Sequence, residues 1–301
     1  MSKLFIQIMD TNIILSAGSL KGQDEYNFFF KKEIEMDISK ENPDVFGQRV
    51  IDEFTLANVF IQGRKKQEID IIYSKQGILY RIIKVPIMPI DDLEKMMELE
   101  KGEFLSVNPD DYEIRFKIID KYDENGQLFW DIAIAGAEKK DLNLIVDELD
   151  KFGFRINFVD ILPSNYERIF SKVEEKDLII LEDDGDSSRI CILKNGKITL
   201  YADFPIDNKE MFISGDYSRL ISEVRGYMDY YSSRNFGKNI DALILLRNYN
   251  KDIIREEILA LVQIKIYKTE EMQNILIKNE EECSQETLVE RFYASMSLMN
   301  L

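Results

Sequence analysis

The strongest constraint on the fold of this chain is a pattern that occurs twice. Near the amino terminus, residues 4–8, a polar turn at Asp10-Thr11-Asn12, residues 13–16 and residues 26–38 read as strand, turn, strand and a long third strand. From Leu178 the order returns: a strand at 178–181, an acid-rich turn at Glu182-Asp183-Asp184-Gly185-Asp186, a strand at 189–194, an Asn195-Gly196 turn and a strand at 197–204. The copies share almost no identities, so the repeat is one of topology. It implies two similar lobes, each opening on a three-stranded meander.

The segments between the meanders supply the other elements. After Pro43, Phe46, Val50, Phe54 and Ala57 recur at helical spacing and predict an amphipathic helix to about residue 62. Strands are expected at 70–74 and 79–85, the second ending at Pro86 and Pro89. A helix–strand–strand–helix unit follows. Leu93, Met96, Met97 and Phe104 form one helical stripe, residues 112–120 and 127–135 a hairpin around Asn125-Gly126, and Leu142, Ile145, Leu149 and Phe152 a second helix stopped by Gly153. A strand at 154–159 and a helix from Pro163 to about 173 precede the second meander. After it, Leu220, Val224, Tyr227 and Tyr231 mark a strong helix, followed by strand 242–246, helix 253–261, strand 263–267 and a terminal helix within 286–299.

Composition removes whole classes of chemistry. Histidine is absent, which excludes Ser-His-Asp and Cys-His catalysis and His-ligated metals. Two cysteines, Cys191 and Cys283, lie in different elements without CxxC spacing and read as buried filler. Lys and Arg number 39 against 56 Asp and Glu, a formal charge of −17 that opposes a grip on nucleic acid or anionic lipid. No run approaches the roughly 18 apolar residues of a membrane span, and "MSKLFIQIMD" lacks a signal-peptide core, so a cytoplasmic protein is expected. Glycine is sparse at 14 residues, which makes phosphate-wrapping loops hard to place.

The middle of the chain carries a resemblance. "RIIKVPIMPIDDLEKMMELEKGEFLSVNPDDYEIRF" and "WDIAIAGAEKKDLNLIVDELDKFGFRINFVDILPSNYERIF", with Leu93, Glu100, Gly153, Asp160 and Pro163, resemble the PilM family of actin-like proteins of type IV pilus assembly. "ISEVRGYMDYYSS", with Glu223 and Tyr230-Tyr231, resembles that family's long second-lobe helix. The resemblance covers about residues 75–245 and implies an actin/ribonuclease H-like two-lobed α/β fold. Its first lobe would comprise 1–83, 155–176 and a C-terminal helix, with a small FtsA-type α+β subdomain inserted at 84–154. Its second lobe would be 177–285, with the outer subdomain reduced at 205–216.

The family binds ATP between its lobes and captures the cytoplasmic amino-terminal peptide of PilN, a membrane-anchored partner. By that resemblance the chain would be a cytoplasmic scaffold held at the membrane only through protein partners, linking PilN to pilus assembly ATPases and the platform protein. The alternative is an actin-like ATP-binding protein whose nucleotide state gates assembly. A sugar or acetate kinase on the same fold would need an intact phosphate site.

The nucleotide motifs depart from the family. In the first phosphate loop its Asp, Gly and Lys fall on Gln7, Met9 and Ile14, with Asp10, Thr11 and Asn12 between. In the second loop its Asp-x-Gly falls on Glu182-Asp183-Asp184 and its Thr on Ser188. Like charges about 4 Å apart cost on the order of 1 kcal/mol in water and more in a cleft, so Asp184 would oppose a phosphate. Its Gly-Gly adenosine turn falls on Arg247-Asn248-Tyr249-Asn250. These residues read as a degenerate ATP site, with no cofactor expected and ATP with Mg²⁺ retained only as a family possibility. The acidic turn by itself remains open between a solvated turn, a residual Mg²⁺ or nucleotide contact, and a Ca²⁺ loop, although it lacks EF-hand spacing.

Glu100 and Asp160 fall on apolar patterns and read either as structural hydrogen-bond partners or as peptide contacts. The resemblance places peptide capture where the "VPIMP" strand end meets residues 158–166, and Val85, Met88, Ala133, Ala135, Phe158, Ile161 and Tyr166 are its candidate wall.

Overall fold

A computed structural model describes residues 3–22, 25–59, 66–183, 188–204, 206, 208–250, 252–262, 264–267 and 271. Both meanders are present. Strands β1 (Lys3–Ile8), β2 (Asn12–Gly22) and β3 (Glu25–Glu35) pair antiparallel, and β4 (Gln67–Tyr73) joins β1 in parallel. The second copy is β9 (Leu178–Asp183), β10 (Ser188–Lys194) and β11 (Lys197–Phe204), with β12 (Ala242–Leu246) parallel to β9. Completed by β8 (Phe154–Ile161) and β13 (Lys265–Tyr267), the sheets run β3-β2-β1-β4-β8 and β11-β10-β9-β12-β13, one pattern executed twice. The central strands β9 and β12 are buried at every position, as the apolar runs 178–181 and 242–246 require of strands covered on both faces, and β9 ends on the buried carboxylates Glu182 and Asp183.

Several boundaries differ from the sequence reading for local reasons. Strand β2 continues past Ser16 to Gly22 because β3 pairs along its whole length, with register shifts at Ala17/Gly18 and Leu20/Gly22. Helix α1 (Pro43–Leu56) starts on a proline behind the Asn42 cap, whose side chain accepts the Asp44 N–H. It stops six residues short of the expected end, because Asn58 turns left-handed at φ +56°. The hairpin strands β6 (Tyr112–Glu124) and β7 (Gln127–Glu138) are longer than expected, and Asn125 and Gly126 take the positive φ of a two-residue turn. The expected terminal helix within 286–299 lies outside the described residues.

A third sheet, β5 (Leu79–Pro86), β7 and β6, is covered on one face by α2 (Ile90–Leu105), with Val85, Leu93, Met97, Ile114, Ile132 and Ile134 as its core. Glu100 is exposed: the apolar stripe of α2 runs through Leu93, Met96, Met97, Phe104 and Leu105 and leaves it on the outer side of the helix. Helix α3 (Lys139–Lys151) packs instead on β8 and α1, and ends at Gly153 with φ +92°.

The two lobes share a core. Helix α4 (Leu162–Phe170) buries Tyr166, Ile169 and Phe170 in a cluster that runs from the first sheet to one face of the second, where Leu178, Ile180, Cys191 and Ile244 lie. The opposite face of the second sheet is covered by α6 (Ser218–Arg234) and α7 (Asp252–Val262), through Leu220, Val224, Ile254 and Ile258. Between β11 and α6 the described residues hold one short helix, α5 (Asn208–Ser214). No helix of the described residues is long and apolar enough to cross a membrane.

Candidate functional site

The turn after β1, the loop after β4, the end of β9 and the turn after β12 all lie at the carboxyl ends of parallel strands, where open α/β sheets form their crevices. Arg189 on β10 fills this place. Its side chain is fully buried, and its guanidinium reaches both lobes. One Nη donates to the Asp10 carboxylate at 3.3 Å and the other to the Ser74 hydroxyl at 3.2 Å, both in the first lobe. On its own lobe Nε lies 3.3 Å from Asp203 and Nη1 3.9 Å from the fully buried Glu182. Tyr166 of α4 donates its hydroxyl to Glu182, tying the shared core to the same network.

The surrounding turns complete the closure. Asp10 accepts the Gln76 N–H at 3.0 Å, and Asp203 of the second lobe accepts the Gly77 N–H of the first at 3.2 Å. Burial holds the Asp203 carboxyl above its ordinary value, against the Arg189 guanidinium and the Gly77 N–H, and nearby Asp10 adds to the rise. A second arginine crosses the lobes from the turn after β12. Arg247 donates to Glu33 on β3 at 2.7 Å, where Asn12 also donates at 2.9 Å. Arg247 stands in left-handed backbone at φ +58°, a conformation favoured by glycine.

The residues expected to form a degenerate ATP site are thereby placed. Gln7 donates to Ser74 at 3.2 Å, Met9 is buried with its sulfur against Arg247, and the Met9 N–H closes the turn on the Asn12 carbonyl. Thr11 gives its carbonyl to the Met36 N–H. Ser188 is buried, in contact with the Tyr249 hydroxyl and donating to Asn208, which donates in turn to Asp183. Burial pushes the Tyr249 hydroxyl well above its ordinary value, and the residue is buried in the turn after β12. Asp184 and the rest of the acidic turn through Ser187 lie outside the described residues.

The described residues do not fit a magnesium nucleotide. A phosphate here would meet Asp10, Glu182 and Asp203, while the guanidinium that could attract it is already enclosed between them. Arg189, Asp203, Ser74 and Asn208 were not among the sequence candidates, and Arg247 entered only as part of the turn that lacks glycine. One signal was available for the first: an arginine at the head of the apolar run Ile190-Cys191-Ile192 of an acidic chain must find carboxylates if that strand is central.

An open groove of about 560 Å³ lies elsewhere, between the outer face of the three-stranded sheet, α3 and the end of β8. Its floor is the small-residue face of β7, Ala133, Ala135 and Ala137, flanked by Tyr80. Strands β6 and β8, each the edge strand of its sheet, both contribute to the lining. Of the seven wall candidates, Ala133, Ala135 and Ile161 line it. Val85 is buried under α2, Met88 packs on the same cluster, and Phe158 stands 40% exposed on β8 outside the lining. Tyr166 faces the interlobe network instead. Asp160 lines the groove but is already paired with Arg168 and accepts from Asn165 at 3.1 Å, which favours its structural reading.

No sequence-family model and no curated protein matches the chain. Among solved structures it is similar to a chain of the PilM-PilN type IV pilus biogenesis complex, at 14% identity and TM-score 0.73 over 99% of this chain and 97% of that one. The fold is actin-like. A Bacteroides thetaiotaomicron protein with actin-like ATPase fold and unknown function is similar at 14% identity and TM-score 0.56, covering 100% and 96% of the two chains. The ethanolamine utilization protein EutJ from Carboxydothermus hydrogenoformans follows at 10% identity and TM-score 0.51, over 98% and 89%. The actin-like frame thus spans the whole chain, and the filled crevice lies between its two repeated sheets.

Proposed function

We propose that the chain is a scaffold of a type IV pilus-type assembly machine that captures a short extended peptide and performs no nucleotide chemistry. The peptide would be the cytoplasmic amino-terminal segment of a membrane-anchored, PilN-like partner. Through it the scaffold would sit on the cytoplasmic face of the membrane, linked to assembly ATPases and the platform protein. The observation that carries this reading is the contrast between two concavities: the interlobe crevice is filled by Arg189, whereas the groove beside β7 is open and bordered by two sheet edges.

That groove suits an extended ligand. Edge strands offer backbone hydrogen bonds, and the alanine floor lets a peptide backbone approach closely while Leu142 and Val146 of α3 supply an apolar wall. Ala135→Asp places a carboxylate on the floor without touching the interlobe network. Binding of the partner's amino-terminal peptide, read by fluorescence anisotropy, is expected to weaken at least tenfold in Ala135→Asp, with wild-type affinity kept in Leu99→Asp on the exposed face of α2. Equal affinity of wild type and folded Ala135→Asp refutes the placement. The gating alternative, an ATP-binding protein, requires Asp10 and Arg189 to separate when nucleotide enters.

A further inference from the structure

We propose that Arg189 and Arg247 act as built-in ligands that hold the two lobes closed, so that closure is a constant property of the chain rather than a response to a bound molecule. The shared apolar core around α4 joins the lobes at the base of the crevice. At its mouth the described cross-lobe hydrogen bonds run in both directions, and Arg247 also lies against the Met9 sulfur. Arg189 and Arg247 of the second lobe donate to Asp10, Ser74 and Glu33 of the first, while the Gly77 N–H of the first lobe donates back to Asp203 of the second.

Closure follows from how these groups are buried. A guanidinium presents five donors in a fixed plane and cannot lose its charge, so an enclosed arginine must be surrounded by acceptors. Among the described residues Arg189 draws its acceptors from both lobes: Glu182 and Asp203 come from its own lobe, and Asp10 and Ser74 from the other. Opening would strip Asp10 and Ser74 from a fully buried cation and leave the Asp10 carboxylate without that partner. In an open crevice a bound cation and anion could do this bridging, and here the side chains already do it.

Amide hydrogen exchange of the full chain tests the inference. The reporter is the Gly77 N–H, whose acceptor lies across the crevice; the amides of Leu243 and Ile244 in β12 report the stability of the second lobe. Asp10→Asn with Glu33→Gln removes the first-lobe charges and leaves Arg189 its own-lobe carboxylates. In that variant Gly77 exchange is expected to accelerate roughly tenfold or more with β12 exchange unchanged, and Mg-ATP is expected to leave wild-type Gly77 exchange unaltered. Unchanged Gly77 exchange in the variant overturns the proposal, as does slowing of wild-type exchange by Mg-ATP. If the double variant fails to fold, Glu33→Gln alone, at a partly exposed site, is read by the same two outcomes.

Discussion

Asp10, in the turn after β1, and Arg189, on β10, lie 179 positions apart in sequence and meet at 3.3 Å with the arginine entirely enclosed. The asymmetry of their burial sets the first prediction. Arg189→Met leaves Glu182 buried without its cation and is expected to cost about 3–5 kcal/mol in urea unfolding. Asp10→Asn, at a side chain 20% exposed, leaves Arg189 the carboxylates of Glu182 and Asp203 and is expected to cost about 1 kcal/mol. Arg189→Lys should not restore stability, because one ammonium cannot reach acceptors on both lobes.

Asp177 supplies a pH dependence. Its side chain is fully buried beside Lys238 and accepts the Asn195 N–H at 2.9 Å. Burial alone would raise its carboxyl, but Lys238, the Asn195 N–H and the Tyr231 hydroxyl outweigh that and hold it below its ordinary value. The unfolded chain therefore binds this proton more tightly than the folded one. The resulting stabilisation is complete above the unfolded value, about 3.9, and is lost as pH falls through the lower folded value. Asp177→Asn is expected to be about 1–3 kcal/mol less stable than wild type near pH 7, with the gap closing below about pH 4 in urea titrations.

At Arg247 backbone and side chain oppose each other. The Glu33 pair stabilises the turn while φ +58° strains a residue with a Cβ. Arg247→Ala loses the pair and keeps the strain; Arg247→Gly loses the pair and relieves it. The glycine variant is expected to be the more stable by about 1 kcal/mol, measured as the difference between the two unfolding curves.

Two helical glycines should respond in opposite directions. A Cβ on Gly47 of α1 would overlap the ring of Phe152 at the end of α3, so Gly47→Ala is expected to destabilise by about 1–3 kcal/mol. Gly226 of α6 has open space around it, and Gly226→Ala is expected to stabilise by about 0.5–1 kcal/mol. Thermal unfolding of the pair checks the packing of α3 on α1.

The fold was legible wherever periodicity and turns agreed. The two meanders, the Asn125-Gly126 hairpin and the Gly153 stop follow from alternation and from backbone that needs positive φ. The crevice was legible only in what it lacks: the absent glycines at Met9 and Asp184 argue against phosphate, but they do not say what occupies the space. Arg189 meets its partners through contacts 115 and 179 positions away, and no local pattern encodes such a distance. The groove was half legible for a related reason. Ala133 and Ala135 share the outward face of β7, a period-two fact, whereas Tyr166 lies near the junction in sequence but sits on α4, which turns it toward Glu182 instead.

The most direct test of a crevice filled by the chain's own arginine is calorimetric titration of the full-length protein with Mg-ATP. The expected result is no saturable heat for wild type. A saturable isotherm with micromolar affinity would contradict the account, because nucleotide cannot enter without displacing Arg189 from Asp10.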